Sequence, residues 1–363
     1  MTARNVKIDR RYFPAYFKFN IQYSFEPGYL DKFIPWKDYI NRFYLPFPPD
    51  LMGSGRPWFY GSPDEYRERL PGIISEILDK GFQPEIICND PFPDLSGSAE
   101  IVRYMKLLAD NGLRHATVAF LPLGVLFRRE FPSLELTAST IAFIHDAARL
   151  DRWVELAGVT AVIPDRSCNK KLGELKALRR SGLSVGLVVD DGCLPSCPIQ
   201  FQHYSVNAAD GRNCANALEH LKAHGDYEKF ILDNCHKFER DLSWRFYQSD
   251  LVPANLPAYA GIVSTIKFTR LVGMNRAEIL LDKMFHFLDA SNGCNFSLGY
   301  YEPEDVLPAI QECDRVCRKC LWCRDVFHKW NVSTELAEKT AGVLWTPRSR
   351  EKMSAYLANY LPR

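Results

Sequence analysis

Short β-rich runs alternate with amphipathic stretches along most of this chain, and no other feature restricts its fold as much. Strand-like runs stand at 16–24, 85–88, 116–121, 135–138, 160–163, 184–189 and 265–268. Between them apolar residues recur at spacings of three and four, as Leu70, Ile73, Ile74 and Ile77 do. That period predicts helices over 64–80, 98–111, 141–156, 169–180 and 274–289. Three of these stretches run into glycine after a polar residue, at Lys80-Gly81, Asn111-Gly112 and Ser181-Gly182, the residue that closes a helix in the left-handed conformation.

Nearly continuous apolar strands separated by helices predict a parallel sheet covered by helices. A closed (β/α)8 barrel and an open doubly wound sheet both satisfy this. The open form carries a glycine-rich phosphate turn after its first strand, whereas Tyr23-Ser24-Phe25-Glu26-Pro27 follows here. The expected fold class is therefore α/β, a TIM-barrel-like (β/α) barrel over 1–300 with a cysteine-rich helical C-terminal extension over 301–363. In such a barrel the chemistry gathers at the carboxyl ends of the strands.

Composition narrows the function. Of 363 residues, 47% are hydrophobic and 25% charged, the balance of a folded globular chain rather than a disordered or fibrous one. Forty-five basic against 44 acidic residues leave a formal charge of +1, so no broad electrostatic footprint for nucleic acid exists. No apolar run approaches the roughly 20 residues that cross a bilayer. The opening Met1-Thr2-Ala3-Arg4-Asn5-Val6-Lys7 is polar and lacks a signal-peptide core. The expectation is a cytoplasmic protein without a membrane partner.

The eleven cysteines are the unusual number. A reducing compartment disfavours a disulfide framework, and grouped thiols there hold zinc or an iron–sulfur cluster. Cys168, Cys214 and Cys294 are scattered and read as buried apolar residues. Four others fall where a barrel does chemistry. Cys88-Asn89-Asp90 ends one strand-like run, Asp190-Asp191-Gly192-Cys193-Leu194-Pro195-Ser196-Cys197-Pro198 ends another, and Asn234-Cys235-His236 follows later. A Gly- and Pro-bearing loop between Cys193 and Cys197 lets the backbone curl and turn both sulfurs toward one centre, as Fe–S clusters require. Zinc sites more often use a tighter two-residue spacer.

A second group, Cys313, Cys317, Cys320 and Cys323, lies among Arg315, Arg318, Lys319 and Arg324. On a helix, at about 100° per residue, these four thiols span an arc of roughly 120°. The neighbouring cations favour thiolate, and a structural metal, an additional cluster ligand or a redox pair all fit. The spacing imitates the radical-SAM motif, but it stands near the C-terminus, with Lys319 where an aromatic residue is usual.

Other candidates carry less chemistry. His220 and His224 share a helix face without a metalloprotease pattern around them. Gly53-Ser54-Gly55-Arg56-Pro57 reads as a turn whose glycines let backbone approach a ligand and whose Arg56 grips a carboxylate, or as an ordinary exposed turn. Arg270 and Arg276 flank a segment after the last strong strand and either clamp an anion or sit at a helix start. Asp190, Asp191 and His203 beside the thiols suit acid/base work, unless Asp190-Asp191-Gly192 is turn chemistry alone.

Taken together, these segments resemble the peptidase U32-like (collagenase-like) family over roughly residues 15 to 325. The run from Tyr44 through Pro57, Cys88-Asn89, the segment Glu135 to Thr140, the Gly192-Cys193-Leu194-x-x-Cys197-Pro198 loop with His203, Cys235, and Ile266-Lys267-Phe268 through Arg276 carry the similarity, the cysteine loop most specifically. The resemblance implies a TIM-barrel-like domain and a [4Fe-4S] cluster held by four cysteines. By position these are Cys193, Cys197 and Cys235, with either Cys88 or a member of the Cys313–Cys323 group as the fourth. It also implies oxygen-independent hydroxylation of a small-molecule substrate or pathway intermediate, with prephenate as oxygen donor in some relatives, and a heterodimer with a related barrel in others. A U32-type peptidase and a non-catalytic cluster-binding subunit are the alternatives. Relatives that modify RNA bases exist, but the neutral charge of this chain makes nucleic acid the less expected substrate.

Overall fold

The computed structural model describes residues 8–55, 61–179, 182–189, 200–211, 256–269 and 276–288. Within them eight parallel strands close into a barrel in chain order. They are β1 (Lys18–Gln22), β2 (Ile40–Pro46), β3 (Pro84–Cys88), β4 (His115–Val118), β5 (Glu135–Ala138), β6 (Ala161–Val162), β7 (Ser184–Val188) and β8 (Thr265–Lys267). The ring shuts where β8 pairs with β1, Lys18 opposite Thr265 and Asn20 opposite Lys267. The expected (β/α) barrel is the observed one. The extension over 301–363 lies outside the described residues.

Among the described residues seven α-helices of seven residues or more surround the barrel, with a single turn at Leu256–Tyr259 before β8. They are α1 (Pro63–Asp79), α2 (Ser98–Asp110), α3 (Leu121–Glu130), α4 (Ala147–Ala157), α5 (Leu172–Leu178), α6 (Gln200–Gly211) and α7 (Arg276–Leu288). Gly81 and Gly112, which follow α1 and α2, have φ of +75° and +96°. A residue with a Cβ pays a steric cost there, which is why glycine ends these helices.

Each strand splits cleanly between its two faces, because successive side chains point to opposite sides. Phe19, Ile21, Phe43, Leu45, Ile86, Cys88, Ala116, Val118, Leu136, Ala138, Val162, Val185, Leu187 and Ile266 all belong to one apolar core with the inner faces of the helices. Leu70, Ile74 and Ile77 of α1 and Met105 and Leu108 of α2 meet them there, each fully buried. The alternate residues face the barrel axis. Such interiors are usually filled by branched aliphatic side chains. Here Asn20, Glu85, Thr117, Thr137 and Lys267 fill much of it, all buried. The strands are therefore apolar on one face and substantially polar on the other, rather than apolar throughout.

Several elements depart from the sequence expectation, among them α3 and α6, helices that the apolar period does not predict. β2 is a strand that the apolar pattern does not announce. Asn41 and Arg42 interrupt it, and its register against β1 shifts between Phe19 and Asn20. An irregularity of this kind re-aims side chains, and Asn41 Nδ2 donates to Asn20 Oδ1 at 2.8 Å inside the barrel. The helix expected over 141–156 is shorter. A tight turn at Thr140–Ala142 leads through left-handed Phe143 (φ +54°) to Asp146, whose carboxylate accepts from Arg149 N at 2.7 Å and starts α4.

β6 has only two residues. It pairs with β5 through Thr137 and Ala138, and with β7 through Ser184 and Val185. No helix among the described residues is long and apolar enough to cross a membrane.

Candidate functional site at the carboxyl mouth of the barrel

Glu85 is the centre of the axial layer. It is fully buried, and its carboxylate accepts from Thr117 Oγ1 at 2.5 Å and from Asn20 Nδ2 at 3.2 Å. Arg42 Nη1 lies 3.8 Å from one oxygen and Lys267 Nζ 3.9 Å from the other. Burial would raise the Glu85 pKa, but Lys267, Arg42, the Thr117 hydroxyl and His115 together hold it below the ordinary value. Burial pushes the Lys267 ammonium down, Glu85 draws it back up, and the second cation, Arg42, adds to the depression. On the amino side of this layer Arg42 also meets Glu135 at 3.4 Å, beside a polar well of about 640 Å³.

On the carboxyl side a second cavity opens at the strand ends. Tyr44, Asn89, Ser139, Val188, Lys267 and Phe268 are among its walls. Tyr44 Oη donates to Phe268 O at 2.8 Å, and the Lys267 ammonium lies 4.4 Å above the Tyr44 ring, a cation–π geometry. Thr140 Oγ1 donates to Pro164 O at 2.9 Å, and Ser139 Oγ accepts from Ile141 N at 3.2 Å. Asn89 Oδ1 is buried and has no hydrogen-bond partner among the described residues.

Helix α6 lies over part of this mouth. Tyr204 packs with Ala119 and Ile141, which follow β4 and β5, and its hydroxyl meets the guanidinium of fully buried Arg166. The loop after β2 admits the helix because it carries glycine. A Cβ on Gly53 would stand 2.2 Å from Ala208 O, and one on Gly55 2.7 Å from Asn89 O. The two glycines expected to admit a ligand admit protein backbone instead.

Among the expected site residues, His203 sits on α6, half-buried, its ring stacked on Tyr204 with centroids 6.0 Å apart. Arg276 opens α7. Its backbone N–H donates to Glu26 Oε1 at 2.6 Å, and Ala277 N donates to Glu26 Oε2 at 3.3 Å. A carboxylate from the barrel's first loop thus caps that helix, the arrangement its positive end favours, and Arg276 is not among the walls of the mouth cavity. Asp190, Asp191, Arg56, Arg270, Cys193, Cys197, Cys235, Cys313, Cys317, Cys320 and Cys323 lie outside the described residues, as do Cys214, Cys294, His220 and His224.

Cys88 stands at a strand end as expected, but on the other face. Glu85 and Ile87 point to the axis, so Cys88 and Ile86 point to the helices. The Cys88 thiol is fully buried in the apolar core, and burial alone pushes its pKa up, away from the thiolate a metal needs. It does not fit as a ligand at the mouth. Cys168 is the buried residue its scattered position suggested: burial first, then Glu174 and Asp165, push its thiol up to about 12. Among the described residues no three His, Cys, Asp or Glu side chains converge as a metal site.

Glu85 was not singled out from the sequence, and Lys267 and Asn89 figured there only within segments that carry the family resemblance, not as site residues. The available signal was an ionisable residue inside each of two strand-like runs, Glu-Ile-Ile-Cys and Thr-Ile-Lys-Phe, at the positions whose apolar neighbours face the helices.

A solved structure titled "The Structure of the U32 Peptidase Mk0906" matches over 71% of this chain and 94% of its own, at a TM-score of 0.50 and 13% identity. The fold is U32-like. A putative lyase/mutase from Burkholderia cenocepacia J2315 aligns with a TM-score of 0.33 and 16% identity, over 67% of this chain and 90% of its own. No protein-family model matches the sequence, and no curated protein is significantly similar to it.

Proposed function

We propose that this U32-like barrel is an Fe–S-dependent enzyme that modifies a small molecule at the carboxyl mouth of the barrel, by oxygen-independent hydroxylation or a related redox reaction. The observation that supports this reading most is the course of the chain around Cys193 and Cys197. It leaves β7 at Val188, a wall of the mouth cavity, and returns as α6, packed over the same mouth. The ten residues that carry both cysteines stand in the sequence between Val189, which follows β7, and Gln200, which opens α6. Cys193, Cys197 and Cys235 are the proposed ligands, with the fourth drawn from Cys313, Cys317, Cys320 and Cys323. The orientation of Cys88 removes it from the set. A [4Fe-4S] cluster supplies one-electron redox chemistry when bound, with the oxygen coming from a donor such as prephenate.

Purification without air tests the proposal. The expected protein is coloured and carries about four iron and four sulfide per chain. Cys193→Ala loses the iron, whereas Cys88→Ala keeps it. Colourless, iron-free wild-type protein, or equal iron in both variants, rejects the reading. The name of the structural neighbour favours peptide cleavage as the alternative, and peptidase activity in iron-free protein would establish it.

A further inference from the structure

Lys267 has a feature that an ion pair held only for architecture does not require. It is 7% exposed, yet its side chain is one wall of a cavity at the end of the barrel where such folds do chemistry. Its ion pair with Glu85, at 3.9 Å, is longer than a hydrogen bond. Glu85 is already satisfied by Thr117 and Asn20 and shares its charge with Arg42. Inside the barrel two cations therefore share the one fully buried carboxylate, Arg42 also meeting the exposed Glu135 on its outer side. Arginine does not give up its proton in proteins, so lysine is the member of the pair that can become neutral. The charged and titratable groups around it among the described residues are Glu85, Arg42 and Tyr44, with His115 one step further along the axis.

We propose that Lys267 is a carbonyl-condensing amine, and that the mouth cavity takes a small aldehyde or ketone. The neutral Lys267 nitrogen adds to the carbonyl carbon, forming a C–N bond as the C=O π bond breaks, and the two N–H protons of the amine pass in turn to the carbonyl oxygen. That oxygen then leaves as water, and the lone pair of the nitrogen completes a C=N double bond. No oxidant or reductant enters the balance. Asn89 Oδ1, the orphaned acceptor in the same cavity, receives the hydroxyl hydrogen of the carbinolamine formed on the way. Removal of the lysine from water, with Arg42 left to balance Glu85, keeps part of it in the nucleophilic neutral form.

Glyoxylate with sodium cyanoborohydride provides the test, followed by peptide mapping by mass spectrometry. Hydride reduces any imine to a stable secondary amine and records which lysines condensed. Lys106, whose side chain is 66% exposed, is the internal reference. At neutral pH Lys267 is expected to be labelled several-fold faster than Lys106, because burial and Arg42 favour its neutral, nucleophilic form. Labelling of Lys267 at a rate equal to or below that of Lys106 overturns the proposal and leaves Lys267 as a structural cation. The comparison is internal to wild-type protein, so it does not depend on a variant folding; Lys267→Arg should abolish the adduct at that peptide. The experiment is run on iron-containing and iron-free protein alike, so the loss of the cluster reading would not decide it.

Discussion

Replacing Glu85 by alanine is expected to lower the free energy of unfolding by about 3–5 kcal/mol, the cost of removing one member of a buried ion pair. The variant leaves Lys267 without its carboxylate and takes from Arg42 its inner one, while Thr117 and Asn20 lose an acceptor. Urea titration should show the midpoint falling with an unchanged slope. The effect also has a pH signature. The folded-state pKa of Glu85 lies below its ordinary value of 4.5, so its stabilisation is complete above that value and is lost as the pH falls through the lower, folded one. The difference between wild type and variant should therefore narrow in acid. A variant as stable as wild type at neutral pH would show that the axial charges do not hold the barrel together.

Gly53→Ala is expected to be nearly as damaging, through sterics alone. The new methyl would stand 2.2 Å from Ala208 O and 2.9 Å from Ala208 Cα, backbone atoms that cannot rotate aside. Overpacking of a core costs about 1–3 kcal/mol where neighbours can adjust, so the strain is relieved here by release of α6 from the mouth. Chymotrypsin should then cut after Tyr204, which is buried in the wild type, and the thermal midpoint should fall. Gly72→Ala is the contrasting substitution. It lies within α1 with nothing inside 4 Å of the added carbon, and should raise stability by about 0.5–1 kcal/mol. If both variants melt alike, close backbone contact does not govern the docking of α6.

The outward half of each strand was legible because it makes a local pattern: Ile86, Leu136 and Leu187 declare themselves within a few residues of chain. The closing glycines of α1 and α2 were legible for the same reason. The axis of the barrel was not. Glu85 and Lys267 gain meaning only from each other, and they are joined by the closure of β8 onto β1 rather than by any short-range spacing. β2 escaped for a related reason. Its Asn41 and Arg42 look like loop residues until the Asn20 and Glu85 that receive them are in place. Pro122 shows the converse: the apolar run reads as one strand to Leu121, yet α3 begins at Leu121 with proline in its first turn, a position where the missing N–H costs nothing. Cys88 was placed at the right height and on the wrong side, since a one-residue step along a strand exchanges the axis for the helix layer. The crossing of α6 over the mouth leaves no mark in the sequence beyond Gly53 and Gly55, and those glycines read equally well as an exposed turn.

The two-residue length of β6 gives this barrel a seam. Every other join in the ring spans three or more positions, but between β5 and β7 the wall depends on Ala161 and Val162 alone. A ring fails at its weakest join, so spontaneous opening of the barrel should begin on that side, and the amides of Ala161 and Val162 should exchange with deuterium well before those of Phe43 or Ile86 across the ring.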